Sequence, residues 1–566
     1  MKFGKMILLL IPIAMTVVLL TSTYIYVERQ SDLDNKEGSL EISLMKEDVT
    51  VSSKNNEYTF VQAAYTTKKG IRAQDKTTIF KVYNELRKIG TYSITIREID
   101  NGDKFVFNRF TNEDFSSAEK IPITITVDDV DKYELFTFDD IKVERTHDTT
   151  FGIDPTTNVK GLYRFKNEND EDKFNVYLSQ NYISESLEMK YPNGEKSTLR
   201  TLVDENKEYS IQQRGDSFQF DLELRTTAYP IIENEEKHQV SESWFLLSQK
   251  PLFKSKKTIQ SYKDETNFYF IKSPKWNTAD GNYTKLPWSV EPFDKMAYGR
   301  NLVSLQDKIA LDGYEDTKDR FFYDMVINSI NYLMDFKKDD KKLWETEYTS
   351  TWLKKSYGIQ APYTDTRHNE NIALFLTRAG ELLDIDEIKE AYVMYADFLS
   401  TQIEIGNVIE TEHGYYVADY FTETQENKTH VSLNHALSEM NFLLKTYITN
   451  KNEKHLKTAL NIKLAVEDTG TDWINPDNGN FWYQINSDYT FKDKDYPTLT
   501  LEDITKSLLL FKEMKIEYSP VWKALIKSKL DFVISNQTPI PLETVNQLKQ
   551  LGFEKELNGY EFVIQF

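Results

Sequence analysis

Cysteine is absent from the 566 residues. That excludes disulfides, thiolate metal sites and a lipid-modified cysteine anchor. Histidine is scarce too, with 7 in the whole chain. Two of them, His430 and His435, stand five apart around a helix start, not at the i, i+4 spacing of a helical zinc pair. They read as solvated or core side chains. Positive charge is in deficit: 69 Lys+Arg against 90 Asp+Glu leave a formal net charge of −21. Nucleic-acid binding needs a basic footprint, so no nucleic-acid partner is expected, and a polyanion would need a local basic patch. Walker and Rossmann glycine motifs, a Gly-x-Ser-x-Gly elbow and a His-Glu-x-x-His pair are also missing. No metal and no cofactor are expected.

What the chain does have is length and aromatic side chains. At 566 residues a single core is improbable on scaling grounds, and two or three domains are expected. Tyrosine (34) and phenylalanine (33) are plentiful, which suits strand-rich domains and sugar-binding clefts alike. The N-terminus carries Lys2 and Lys5 ahead of the apolar run Met6–Val27. The run is long enough to span a bilayer, and the lysines favour an N-terminus-in orientation. The stretch Tyr24-Ile-Tyr-Val-Glu28 is a poor cleavage site, so residues 1–27 read as an uncleaved single-pass signal-anchor. The bulk of the chain then lies outside the cytoplasm, or is secreted if the segment is cut. Residues 28–55 are polar and read as a juxtamembrane linker with room for one short strand.

From 56 to 275 the period is mainly two. Tyr92–Ile96, the turn Asp100-Asn-Gly102 and Lys104–Phe107 form a hairpin signal. Further strand candidates are Ile121–Val127, Tyr133–Phe138, Ile141–Arg145, Gly161–Phe165, Phe174–Leu178, Tyr209–Gln213, Phe218–Leu224 and Asn267–Lys272. This spacing predicts a β-rich sandwich or barrel. Ile79, Val82, Tyr83 and Leu86 fall at helical spacing, so a helix is expected over Thr77–Lys88. From 276 to 566 the period is 3.6. One face carries Ile372, Phe375, Leu376, Ala379 and Leu383; others carry Leu433, Leu437, Met440 and Leu444, or Leu501, Ile504, Leu508 and Phe511. Further helices are expected over 290–310, 318–336, 387–403, 453–467 and 518–535. Long aromatic-rich connections (343–368, 406–431, 468–498) alternate with short ones, as in a ring of helical hairpins; a solenoid has the same periodicity. The fold class is multidomain α+β.

Three stretches feed helices with polar and aromatic residues. In Tyr363–Glu370, Asp365 or Thr366 suits an N-cap, whereas Arg367 and His368 are cations at the wrong end of a helix dipole and point to an anionic ligand. The loop Glu410–Phe421 reads as a small hairpin turning at Gly414, with Tyr415 and Tyr416 packing it down. Asp472–Tyr483 is rich in turn formers but lacks the spacing of a Ca²⁺ loop. Glu345 and Glu347 are a natural glycosidase pair whose separation the sequence leaves open.

These stretches resemble D-glucuronyl C5-epimerases over about 285–540. The resemblance rests on Ala418-Asp419-Tyr420-Phe-Thr followed by Val431-Ser-Leu-Asn434, on Asp468-Thr-Gly470 with Gly479-Asn-Phe-Trp-Tyr483, and on Asp495-Tyr496-Pro-Thr498 opening a helix. It implies an (α/α) toroid acting on an acidic polysaccharide, with Tyr420, Tyr483, Tyr496 and Asp419 at the reacting carbon. Arg367, His368, Asn369 and Asn434 would bind substrate, and a homodimer is kept open. The reaction implied takes the uronate C5 proton from one face and returns it to the other, and a phenol serving as base there needs a nearby cation. Where the family carries Arg and His after the middle tyrosine, this chain has Gln484-Ile-Asn-Ser487; after the last tyrosine it has Pro497. Other readings of the same residues are a lyase, a glycoside hydrolase, and a non-catalytic glycan-binding protein of the cell envelope.

Overall fold

The computed structural model describes residues 39–564, apart from 54–56, 115–116, 139–155, 157, 229–237, 269–274 and positions 288, 295, 424, 426 and 562. The apolar N-terminal run and the Ile141–Arg145 strand candidate lie outside the described residues. No helix among the described residues is long and apolar enough to cross a membrane.

Alternating side chains build two antiparallel sheets. In the smaller one, Leu40–Leu44, Val49–Ser53, Lys120–Val127, Ser217–Arg225 and Tyr209–Arg214 lie in that spatial order. Its register sets Val127 opposite Phe218, Ile125 opposite Phe220 and Ile123 opposite Leu222, so every second residue faces inward. In the larger sheet, Lys196–Asn206, Asn181–Lys190, Gln239–Ser248, Lys104–Asn112, Arg87–Ile99, Ala73–Asn84 and Tyr58–Lys69 follow one another, with Asp172–Leu178, Gly161–Lys166 and Lys132–Thr137 branching from Gln239–Ser248. One core, containing Val51, Phe80, Tyr92, Ile125, Phe220 and Phe245, joins the inner faces of the two sheets as a sandwich. The opposite face of the larger sheet is not solvated. Phe105, Phe107 and Trp244 pack there against Phe321, Met325 and Ile372 of the helical half.

Four expectations need correction. The helix over Thr77–Lys88 is absent; the segment belongs to the strand Ala73–Asn84 and the turn after it. Thr78, Phe80 and Val82 are buried while Leu86 stands in solvent, so the burial period is two, and the helical spacing of Ile79, Val82, Tyr83 and Leu86 was coincidental. The linker 28–55 contributes two paired strands, Leu40–Leu44 and Val49–Ser53, whose alternation is masked by the intervening Lys46-Glu-Asp48. Residues 290–310 are mostly strand and loop. Ala297–Gly299 pairs with Lys196–Asn206, and Gly281–Lys285 pairs in turn with Ala297–Gly299, so the large sheet runs past the boundary set at 275/276. Asn267 and Phe268 form the end of the helix Lys256–Phe268, and residues 269–272 of that strand candidate lie outside the described residues.

The 3.6-period segments do form helices: Arg320–Phe336 (α1), Thr366–Leu383 (α2), Ala391–Thr401 (α3), Leu433–Asn450 (α4), Glu453–Thr469 (α5), Leu499–Met514 (α6) and Val521–Ser535 (α7). The helices α2, α4 and α6 are successive neighbours, and α3, α5 and α7 pack beside them. From Leu433 to Leu444 every residue of α4 is buried, as expected of a helix enclosed by others. The connections preceding α2, α4 and α6 contain short paired strands: Thr364–Asp365 with Tyr420–Phe421, and Val431–Ser432 with Trp482–Ile485. These pairings gather the three loops. Buried polar straps fasten the sheet to the helices. Arg97, 1% exposed, donates two bonds to Asp75 (2.8 and 2.7 Å) and one to Asn328 of α1 at 2.7 Å.

Candidate functional site

The three gathered loops bring a row of rings together. Tyr496 packs edge-on to Tyr483 with ring centres 5.7 Å apart, and Tyr483 lies 5.9 Å from His430. His430 lies 5.9 Å from Tyr420, and Tyr420 the same distance from Tyr363. Trp352 and Tyr357, from the short helix Thr351–Tyr357, close on His430 at 5.1 and 5.6 Å. Tyr496 and Trp352 are the exposed members of this group, at 47% and 39%.

Asp419 lies beneath the rings and is fully buried. Its carboxylate accepts bonds from the Ser432 amide (3.0 and 3.1 Å) and hydroxyl (2.6 Å). It also lies 3.2 Å from His430 Nε2 and 3.6 Å from His435 Nδ1. Burial works against its ionised form, but His435, His430 and Ser432 together outweigh burial and hold the carboxyl below its usual range. His435 is pulled down by burial, which exceeds the opposing pull of Asp419. Its ring also bonds the Thr366 hydroxyl at 2.9 Å. Glu439, one turn further along α4, is pushed well up by burial and then by Asp419.

The phenols are shifted the opposite way from what a phenolate base requires. Burial raises Tyr420 well above the ordinary value, and Asp365, Tyr483 and Asp419 add to it. Tyr483 is raised by burial and then Asp419, and Tyr496 by burial and then Asp365. All three are neutral phenols, able to donate a proton and unable to accept one near neutrality.

The substrate-binding candidates are largely committed inside the protein. The Asn369 amide, 1% exposed, accepts from the Trp344 amide and donates to the carbonyls of Trp344 and Asp365, each at 2.9 Å. It fixes a loop onto α2 and has nothing left for a ligand. Arg367 meets Asp503 of α6 at 3.3 Å and Glu370 at 3.6 Å, and donates to the Asn434 carbonyl. The anion that its position at a helix start called for is therefore supplied by the protein. Asp365 caps α2 through the His368 amide at 2.9 Å, and its carboxylate lies 3.6 Å from the His368 ring. Asn434 is buried with its side-chain oxygen unpartnered among the described residues. Glu347 is held by Arg300 at 2.6 Å and Glu345 by Lys338 at 3.2 Å.

His430 is a core side chain, as expected, and its ring stands at the centre of the cluster. One charged neighbour of the site is marked by no motif. A buried cation does lie behind the last tyrosine, and it comes from α7. Lys529 donates to Asp495 (2.6 Å), to Asn480 (2.7 Å) and to the Tyr496 carbonyl (2.7 Å). It positions the loops bearing Tyr483 and Tyr496. The available signal was a lone lysine on the apolar face made by Trp522, Leu525, Ile526, Leu530 and Val533, where an unpaired charge does not persist. Tyr415 and Tyr416 are buried in the Val408–Glu410/Tyr415–Val417 hairpin, as read.

No family model and no curated protein matches the chain. Among solved structures, a D-mannose isomerase is similar over 50% of this chain and 72% of its own, at 18% identity and a TM-score of 0.32. A family 76 glycoside hydrolase (mannosidase) from Bacteroides thetaiotaomicron covers the same shares at 11% identity and 0.35. A sugar epimerase from a ruminal bacterium covers 38% of this chain and 53% of its own, at 11% identity and 0.28. At TM-scores this low the likeness carries no argument about chemistry.

Proposed function

We propose that this is a membrane-anchored, extracytoplasmic glycan-acting protein that moves protons at a sugar carbon, most specifically an epimerase of D-glucuronyl C5-epimerase type on an acidic polysaccharide, built on an (α/α) toroid. The observation that carries the reading is the meeting of Tyr420, Tyr483 and Tyr496 with His430 above a buried carboxylate. In this reading one side chain of the ring cluster takes the C5 proton, and the electron pair moves into the adjacent carboxyl group as an enediolate. A neutral phenol on the other side of the sugar returns a proton to C5, the enediolate collapses, and the two protonation states are reset from solvent. The reaction is redox-neutral and needs no co-reactant. Preorganised phenol donors also stabilise the developing oxyanion. A phenolate base is not part of this reading, because burial and the carboxylates of Asp365 and Asp419 raise the phenols.

The same charge balance favours a second reading. With Arg367 engaged by Asp503 and Glu370, an uncharged aldose or ketose unit meets less repulsion from Asp365 and Asp419 than a uronate does. Proton transfer would then occur at the carbon beside its open-chain carbonyl.

Incubation in D₂O separates the readings. Deuterium at C5 of a uronate polymer without chain shortening supports the first, and deuterium at C2 of a neutral sugar the second. An ultraviolet-absorbing unsaturated uronate would mean a lyase, new reducing ends a hydrolase, and glycan retention without any of these a binding protein. Tyr496→Phe is expected to abolish exchange; undiminished exchange removes Tyr496 from the site.

A further inference from the structure

A cavity of about 500 Å³ lies where the larger sheet meets the helical half, a volume in the range of small-molecule sites. It is remote in sequence from the tyrosine loops and independent of their chemistry. Hydroxyls from neighbouring strands line it, with Thr77 and Thr95 bonded to each other at 2.8 Å and Ser93 beside them. Asn108 and Asn277 add amides, and the rings of Phe107 and Tyr283 are also part of the lining.

Its charges are already balanced. Lys68 meets Asp335 at 2.7 Å, and Arg97 meets Asp75 at the same distance. Buried Glu242 accepts from Arg109 and Arg200, both at 2.5 Å. Arg300 is held by Glu347. An anionic or cationic ligand would have to break one of these pairs, whereas a neutral polyol can bond to their free edges. One donor is still unmet: Asn277 is 1% exposed and lines the cavity, and its amide nitrogen has no hydrogen-bond partner among the described residues. A buried donor left that way costs about 1–3 kcal/mol, and a ligand hydroxyl would relieve it.

We propose that this cavity binds a neutral saccharide unit, its hydroxyls bonded by the Thr77, Ser93, Thr95 and Asn277 side chains. Arg300 also lines a neighbouring cavity of about 420 Å³, which Pro362, next to Tyr363 of the ring cluster, lines as well.

The test is saturation-transfer NMR on the full chain with neutral gluco-, manno- and galacto-tetrasaccharides, alongside a uronate tetrasaccharide. At least one neutral probe is expected to bind, and Ser93→Tyr, which fills the cavity from a partly exposed strand position, should weaken it by about tenfold or more. Thr77→Tyr fills the same space from the next strand and stands in if the first variant fails to fold. Tyr420→Phe should leave this binding intact even where it stops deuterium exchange, so failure of the site and failure of the proposed reaction are read separately. Absence of binding by every neutral probe, binding by the uronate alone, or binding unchanged in the cavity-filling variants would overturn the proposal.

Discussion

Replacing Lys529 with methionine tests whether the loops of the ring cluster depend on one buried ion pair. The Lys529 and Asp495 side chains are both fully buried and 2.6 Å apart. Burial pulls Lys529 down and pushes Asp495 up, so each keeps its charge only through the other and their neighbours. Lys529→Met leaves Asp495 with the Thr500 hydroxyl (2.7 Å) as a donor but without a counter-charge, and strands the Asn480 and Tyr496 oxygens. Breaking one side of a buried pair costs about 3–5 kcal/mol. Protonation of Asp495 sets the ceiling: from the ordinary carboxyl value of 3.8, doing so at pH 7 costs about 4 kcal/mol at 1.36 kcal/mol per unit. The expected loss is therefore about 3–4 kcal/mol at pH 7, read by urea unfolding followed through tryptophan fluorescence. The orphaned carboxyl titrates above its unfolded value. The variant's deficit should consequently shrink as pH falls toward 4, where the unfolded chain also takes up that proton. Lys529→Met with Asp495→Asn should recover about 2 kcal/mol or more at pH 7. A deficit below about 1 kcal/mol, or one that does not shrink in acid, would refute the assignment.

Other perturbations probe separate features. Asp503 is pushed to about 6 by burial, which exceeds the lowering by Arg367 3.3 Å away. A raised carboxyl contributes stability below its unfolded value, and that contribution is lost as pH rises from 3.8 to about 6. Asp503→Asn should remove about 2 kcal/mol of this pH dependence, seen by comparing denaturation at pH 4 and 7. Gly414→Ala would set a Cβ 2.2 Å from the Asn461 carbonyl oxygen and 2.7 Å from the Ala465 nitrogen. It should destabilise by about 1–3 kcal/mol, visible as a lower unfolding midpoint. Arg97→Met strands Asp75 and Asn328 at the sheet–helix junction and should cost about 3–5 kcal/mol in chemical denaturation.

Local patterning determined much of this protein. Period-two runs such as Ile121–Val127 and Phe218–Leu224 became paired strands because their alternation matches the pleat, and 3.6-period faces such as Leu433–Leu444 became helices. The hairpin at Gly414 and the cap at Asp365 were legible because turn and cap chemistry is local. Thr77–Lys88 was misread because four apolar residues satisfied both periods, and pairing with Arg87–Ile99 decided between them. At the candidate site, the sequence singled out Tyr420, Tyr483 and Tyr496 but not their charge environment. Lys529 reaches Tyr496 from 33 positions away, and Asp503 neutralises Arg367 across 136. Such long-range electrostatics depend on which elements pack together, and so does burial, which raises all three phenols where a phenol serving as base would have to be lowered. Only the tertiary structure brings Asn277, Ser93 and Arg300 around one cavity, because two strands far apart in sequence and a loop share no local pattern that marks them as one site.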